Sequence, residues 1–403
     1  MLDRLLIAVQ DRAHLPLSSR RDCEVLSALI LESTDEFVSY NTLRRLYGLA
    51  PAVKPRQQTL DALARYCGFP DFKAFATTDS GAAKWRVSEE VFSLLDSGRI
   101  EDALRLVASL PGQLERMDLY VQMSRELILT RRLEEYGNMF QSPLINVARW
   151  EYSHQLHYGI AIGMLLPSVP AEEHPLLRLP AFLESVYLTH VNYNELNGYY
   201  GAWTEYLLDD PPSAEIGIFV RCLHAFRAFL NGERMETVPG LDDGVPHLHP
   251  ILRSRIFAVH WLAGRRDFED LWAQVHGTDH LAEFPLIWLH EISVVALLLD
   301  DRPLMRQLHS ISVAPERLAH YEEHHRQLML LCALGAALDK GRKRMALDLE
   351  SQFRLGEITR GYRDLIEWCF CRLQLELHPR SSKVGRRKQQ LTEQLGYAYL
   401  QEG

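Results

Sequence analysis

Ser39-Tyr40-Asn41-Thr42-Leu43-Arg44-Arg45-Leu46-Tyr47-Gly48, followed by Pro55 and the run from Gln57 to Gly68, decides how this chain is read. Ser39 suits the start of a helix, because its hydroxyl accepts a backbone N–H that the first turn leaves unpaired. The helix it opens runs from Tyr40 to Tyr47. Gly48 stops it, since glycine takes left-handed backbone without steric cost. Pro55 precedes a further helix, Gln57 to Cys67, in which Leu60, Leu63 and Ala64 recur at the spacing of one buried face. Gly68 ends that helix.

Working outward, residues 2–13 and 20–32 read as two earlier helices, the second with Val25, Leu26, Leu29 and Ile30 as its apolar face. A turn spans Ser33 to Val38, and Pro70 opens a short fifth helix closed by Phe72 and Phe75. Cap, helix, proline and second helix in this order resemble a lambda-repressor-like helix-turn-helix domain covering residues 1–76. The resemblance implies that the third helix enters the major groove of DNA. Tyr40, Asn41 and Arg44 would then face bases, Leu43 and Leu46 would hold the helix to its core, and Thr42 and Arg45 would lie near phosphates. Asn suits adenine and Arg suits guanine, because each can make two hydrogen bonds to one base edge.

The charge pattern bears on that expectation. Residues 1–80 hold ten Lys+Arg and ten Asp+Glu, so the block has no net charge, whereas DNA affinity rests largely on phosphate neutralisation. Within 39–65 the balance is basic: Arg44, Arg45, Lys54, Arg56 and Arg65 oppose Asp61. The DNA-contacting set is therefore Tyr40, Asn41, Thr42, Arg44, Arg45, Lys54 and Arg56. Asp35 and Glu36, in a lengthened turn before the third helix, would place carboxylates near a phosphate. A second reading follows from them, in which the domain makes protein contacts and the chain is a scaffold or adaptor in a multi-protein assembly.

The whole chain has 403 residues, 47% hydrophobic and 24% charged, which excludes wholesale disorder, collagen-like repeats and a disulfide-stapled mini-protein. Its net charge of −9 excludes a polycation that coats nucleic acid. Nearly every segment has helical period, so the fold class is all-α. Residues 77–84 (Thr-Thr-Asp-Ser-Gly-Ala-Ala-Lys) are small, polar and aperiodic, and read as a linker. From Trp85 to His378 helices are joined by turns of one form: a small or polar stop, a basic residue, then an apolar helix. Examples are Gly98-Arg99, Arg131-Arg132, Gly232-Glu233-Arg234, Gly264-Arg265 and Gly341-Arg342. Gly98 to Arg131 is 33 residues and Gly232 to Gly264 is 32, close to the roughly 34-residue tetratricopeptide period. Residues 85–378 thus resemble a degenerate tetratricopeptide-like α-solenoid, and residues 379–403 form a basic tail with a short helix.

A solenoid presents a groove that takes a peptide or protein partner. If residues 187–203 form a helix, His190, Tyr193, Asn194 and Asn197 share one face with Tyr187 a turn earlier, and these five are the candidate groove residues. Asn side chains can clamp a peptide backbone and the aromatics add contact area. The plainer alternative is inter-helix packing. His320 and His324 lie one turn apart with acids between them, and beside Arg317 and Arg326 they read as a solvated charged face. The six cysteines, scattered in apolar patterns, read as buried free thiols of a cytoplasmic protein. No phosphate loop, dinucleotide fingerprint or nucleophile elbow occurs, so no catalytic residue, metal ligand or cofactor is expected. The arrangement resembles bacterial peptide-responsive regulators, in which a repressor-like domain precedes tetratricopeptide repeats. That resemblance implies a homodimer matched to two DNA half-sites. No stretch approaches about 18 uncharged apolar residues, so no membrane span is expected.

Overall fold

A computed structural model describes residues 2–13, 15–51, 53–77, 80–166, 175–233, 235, 250–264, 286–311 and 323–402. Most of these residues are helical and no strand occurs among them, and the chain divides into two compact units, Met1–Ser97 and Gly98–Gly403. Among the described residues no helix is long and apolar enough to cross a membrane.

Unit 1 contains α1 (Leu2–Ala13), α2 (Arg20–Thr34), α3 (Tyr40–Leu46), α4 (Gln57–Tyr66), α5 (Phe72–Thr77) and α6 (Ser80–Asp96). Ser19 and Asp22 form a reciprocal capping box that starts α2. Asp35 ends it in left-handed backbone, with φ 56°. Ser39 caps α3 by accepting from the Thr42 N–H at 3.2 Å. Leu5, Val9, Cys23, Leu26, Ile30, Leu43, Leu63 and Ala64 form a fully buried core, and the Ser27 hydroxyl donates to Val38 O at 2.6 Å to hold the turn before α3. Val25 faces solvent, so the buried stripe of α2 is narrower than its apolar composition suggests. The expected linker is corrected here. Ser80–Lys84 are helical within α6, and the division between units falls after Ser97, not at 77–84. Thr78 and Asp79 lie outside the described residues.

Unit 2 contains α7 (Ile100–Ala108), α8 (Gln113–Leu129), α9 (Leu133–Gln141), α10 (Tyr152–Gly163) and α11 (Pro180–Phe182). It continues with α12 (Tyr199–Asp209), α13 (Ala214–Leu230), α14 (Pro250–Leu262), α15 (His290–Leu299), α16 (Arg302–Ser310) and α17 (Glu323–Asp339). Its last helices are α18 (Lys343–Gln352), α19 (Arg360–Leu377), α20 (Ser382–Leu395) and α21 (Ala398–Glu402). The recurrent turns share one geometry. Gly98, Arg131, Gly232, Gly264 and Gly341 all have φ between 63° and 93°, the left-handed stop that closes a helix and redirects the chain. At three of them the following N–H reaches five residues back: Arg132 to Leu127 O, Glu233 to Ala228 O and Arg342 to Ala337 O, at 2.8–2.9 Å. The basic residue after the stop then pairs with an acid three residues on, Arg99 with Asp102 and Arg132 with Glu135. Residues 265–268, which completed the Gly264 turn in the sequence pattern, lie outside the described residues.

Neighbouring helices pack in chain order, but the end of the chain also folds back far along it. The Tyr397 hydroxyl donates to Tyr193 O at 2.6 Å and accepts from the Leu196 N–H at 3.1 Å. Tyr399 packs on Phe229. An ideal stack of repeats makes nearest-neighbour contacts alone, so unit 2 is closed on itself to that extent. The expected basic tail is likewise corrected. Leu391, Leu395, Tyr397 and Leu400 are buried, Arg387 holds both carboxylate oxygens of Glu367, and Lys388 lies over the Trp368 ring. Two of its charges, Arg387 and Lys388, are thus engaged with α19, while Arg380, Lys383 and Arg386 are exposed.

Candidate functional site

In unit 1 the side chains expected to meet DNA separate into two groups. Thr42 and Arg45 on α3, with Lys54 and Arg56 before α4, line a surface groove of about 720 Å³. Arg45, Lys54 and Arg56 are exposed. Phe37, 72% exposed, and Val53, 58% exposed, lie on the same groove. Gln58 and Thr59 at the start of α4 line it too, as do Glu36 and Asp61.

Tyr40, Asn41 and Arg44 are outside this groove. Tyr40 is half-buried against the core and lies under the Arg20 guanidinium, 5.0 Å from its ring centroid. Arg44 bends back to Leu49 O at 3.4 Å and Asn41 Oδ1 at 3.5 Å. Two of the three expected base readers are therefore engaged by the domain itself. Glu36, expected as a repulsive carboxylate, is held by Arg65 at 2.7 and 2.8 Å. The sequence put Arg65 and Glu36 in view separately. Their pairing, 29 residues apart, required the fold.

In unit 2 the five groove candidates are not on one helical face. The chain from Leu183 to Tyr187 is a widened turn, with the Leu188 N–H bonded to Leu183 O. A single 3-10 turn follows at Tyr193–Glu195, and α12 starts at Tyr199. The segment cannot continue as one helix because Gly198 and Gly201 bring it too close to its own turn: a Cβ at Gly201 would lie 1.8 Å from Leu196 O. Tyr187 and Tyr193 are fully buried, and their hydroxyls bond Thr204 and Glu291. Asn194 donates to Arg360 O at 2.8 Å, and Asn197 pairs with Asn231 and Arg227. Four of the five thus knit the unit together, which corrects the peptide-groove assignment. His190 differs, because it lines a cavity.

That cavity, of about 210 Å³, is the feature that sequence reasoning missed. At its base lies a sealed group of polar side chains. Arg255 on α14 and Glu291 on α15 form an ion pair with exposures of 1% and 0%. Glu291 also accepts from the hydroxyls of Tyr193 and Tyr362, both at 2.8 Å. Burial opposes the Arg255 charge, and Glu291 with the two tyrosines overrides it, so the guanidinium stays protonated.

Three imidazoles complete the base: His290 on α15, and His324 and His325 on α17, with ring centroids 4.5–5.4 Å apart. The Thr359 N–H donates to His324 Nδ1 at 3.2 Å, so a neutral His324 carries its proton on Nε2. It donates that proton to His290 Nε2, which leaves the His290 proton on Nδ1, 3.6 Å from Glu291 Oε1. Burial pushes His290 and His324 well below the usual imidazole value, and brings His325 and His190 down to about 4. The expectation that His324 sits on a solvated charged face is corrected. His320 and Arg317, the rest of that pattern, lie outside the described residues.

Glycines set the walls. A Cβ at Gly163 would lie 2.4 Å from the His190 ring, and one at Gly361 would lie 2.0 Å from Val191 O. α10 and α19 therefore close on the segment 189–192 because those positions carry no side chain. The usable sequence signal was the spacing of these glycines against polar residues in otherwise apolar helices, such as Glu291 within His290–Leu299. Among the described residues no group of His, Cys, Asp and Glu is arranged to hold a metal ion. No family model, no curated protein and no solved structure matches this chain.

Proposed function

We propose that the chain is a DNA-binding regulator. Unit 1 acts as a lambda-repressor-like helix-turn-helix domain seated on the phosphate backbone through Thr42, Arg45, Lys54 and Arg56. Unit 2 acts as a degenerate tetratricopeptide-like stack that carries the partner or effector site. The observation that supports this is the groove of unit 1, where the exposed cations Arg45, Lys54 and Arg56 lie together and its two carboxylates are engaged, Glu36 by Arg65 and Asp61 by the Phe72 N–H. Phosphate contacts position a protein on DNA, and base contacts specify the site. Tyr40 and Arg44 are engaged internally, so of the three expected base readers the exposed Asn41 keeps that role, its Oδ1 accepting from Arg44 at 3.5 Å. A homodimer on two half-sites completes the scheme.

Fluorescence anisotropy of the full-length protein, on a random duplex and on a selected pool across a salt series, tests the proposal. Salt-steep binding with enrichment of a short site is the expected result. Absence of binding even at low salt overturns it. The second reading, a scaffold whose unit 1 docks protein, is favoured by the exposed apolar side chains of Phe37 and Val53 on the same groove. A protein partner released by Phe37→Ser, together with no DNA binding, would select that reading.

A further inference from the structure

At the base of the unit 2 cavity, buried N–H donors meet no acceptor. Arg255 spends Nη2 on Glu291, while its Nε and Nη1, both buried, have no hydrogen-bond partner. His290 Nδ1, which carries a proton by the tautomer chain above, is likewise without one. Glu291 cannot serve them further, because its two oxygens already accept from Arg255, Tyr193 and Tyr362. A buried guanidinium with unmet N–H groups calls for an oxygen acceptor, and an anionic one answers it best.

We propose that this cavity is a binding site for a small organic monocarboxylate with an apolar body, its carboxylate accepting from the unpaired N–H groups of Arg255 and its body lying against Leu156, Ile160, Phe219 and Leu252. The size fits: the cavity measures about 210 Å³, against the roughly 150 Å³ of an apolar cavity that takes benzene. The walls fit as well, since those four side chains are apolar and line the space above the polar base. Charge at the rim narrows the class. Glu184 and Glu215 are exposed lining residues, opposed by one exposed cation, Arg360, so a multiply charged phosphate ester meets more repulsion there than a monoanion does. The inference stands on unit 2 alone and holds whether or not unit 1 binds DNA.

The test is thermal unfolding and calorimetric titration of the full-length protein with benzoate, phenylacetate and isovalerate, each beside its neutral amide. The acids are expected to raise the Tm and to bind at least tenfold more tightly than the amides. Ile160→Phe, which fills the apolar part and leaves Arg255 and Glu291 in place, is expected to abolish the acid-induced shift. Arg255→Lys keeps the charge but removes the guanidinium donors, and is expected to erase the preference for acid over amide. Should Arg255→Lys fail to fold, the Ile160→Phe comparison and the acid–amide ratio in the parent still decide. No shift with any of the acids, equal affinity for acids and amides, or an undiminished shift in Ile160→Phe would each overturn the proposal.

Discussion

In unit 1, Arg45, Lys54 and Arg56 stand in solvent along a groove. In unit 2, Arg255 and Glu291 are sealed at exposures of 1% and 0%, with two tyrosines closing the ring of hydrogen bonds. The first arrangement costs the fold almost nothing, because exposed charges keep their hydration and are screened beyond about 8–10 Å. The second removes two charges from water, and persists only while each compensates the other. Surface charge is therefore available for function at a distance, whereas buried charge is committed to structure unless something is left unpaired. Arg255 is both committed and, through Nε and Nη1, incomplete.

The contrast can be broken experimentally. Glu291→Ala leaves Arg255 buried without its partner, and urea denaturation should show a loss of about 3–5 kcal/mol. A loss below 1 kcal/mol would mean that the pair is hydrated. Acid should act next. The buried imidazoles have folded values at or below about 4, so the unfolded chain binds more protons once the pH drops below the ordinary histidine value of about 6.5. Stability then rises with pH. It should be fully present above that value and fall as the pH is lowered toward 4, read as the urea midpoint against pH. A flat profile across that window would place these rings in water.

The exposed groove should respond in the opposite sense. Replacing Arg45, Lys54 and Arg56 together by Ala should change stability by about 0.5 kcal/mol or less, yet lower the slope of log affinity against log salt by about 2.7, at about 0.9 per phosphate contact. A large loss of stability with an unchanged slope would reverse the two roles. Glu36→Gln should cost less than about 1 kcal/mol, because both partners are more than a third exposed. It should also tighten DNA binding by releasing Arg65 toward the groove. Smallest of all, Arg131→Gly should raise stability on the order of 0.5 kcal/mol. It relieves left-handed backbone at φ 63°, where the other stops of this form carry glycine, partly offset by the entropy that glycine loses.

The capping box apart, α1 to α5 of unit 1 were legible because their signals are local: a cap, a stop glycine, a proline and a stripe of leucines lie within one or two turns of what they control, whereas the small polar run at 77–84 hid the start of α6. The left-handed turns of unit 2 were legible for the same reason. The 187–197 segment was misread because its helical spacing is real but loses to a tertiary fact, the approach of Gly201 to Leu196 O and of Gly361 to Val191 O. The cavity was illegible because its base joins α14, α15, α17 and α19, and no spacing within one element encodes an encounter between four. The basic run at 380–388 was misjudged similarly. Glu367 and Trp368, which engage Arg387 and Lys388, sit on the preceding helix with their faces undetermined by composition.

The bond from Tyr397 to Tyr193 O spans 204 residues, and it has a consequence in time. At ribosomal rates of roughly 5–20 residues per second, about 10–40 s separate the synthesis of its two ends. During that interval the turn around Tyr193 must wait for the hydroxyl that fastens it, while unit 1 can already have folded. A nascent chain stalled before Tyr397 would thus present a finished first unit beside an unfastened second one, and that interval is when a holding chaperone would have the most to grip.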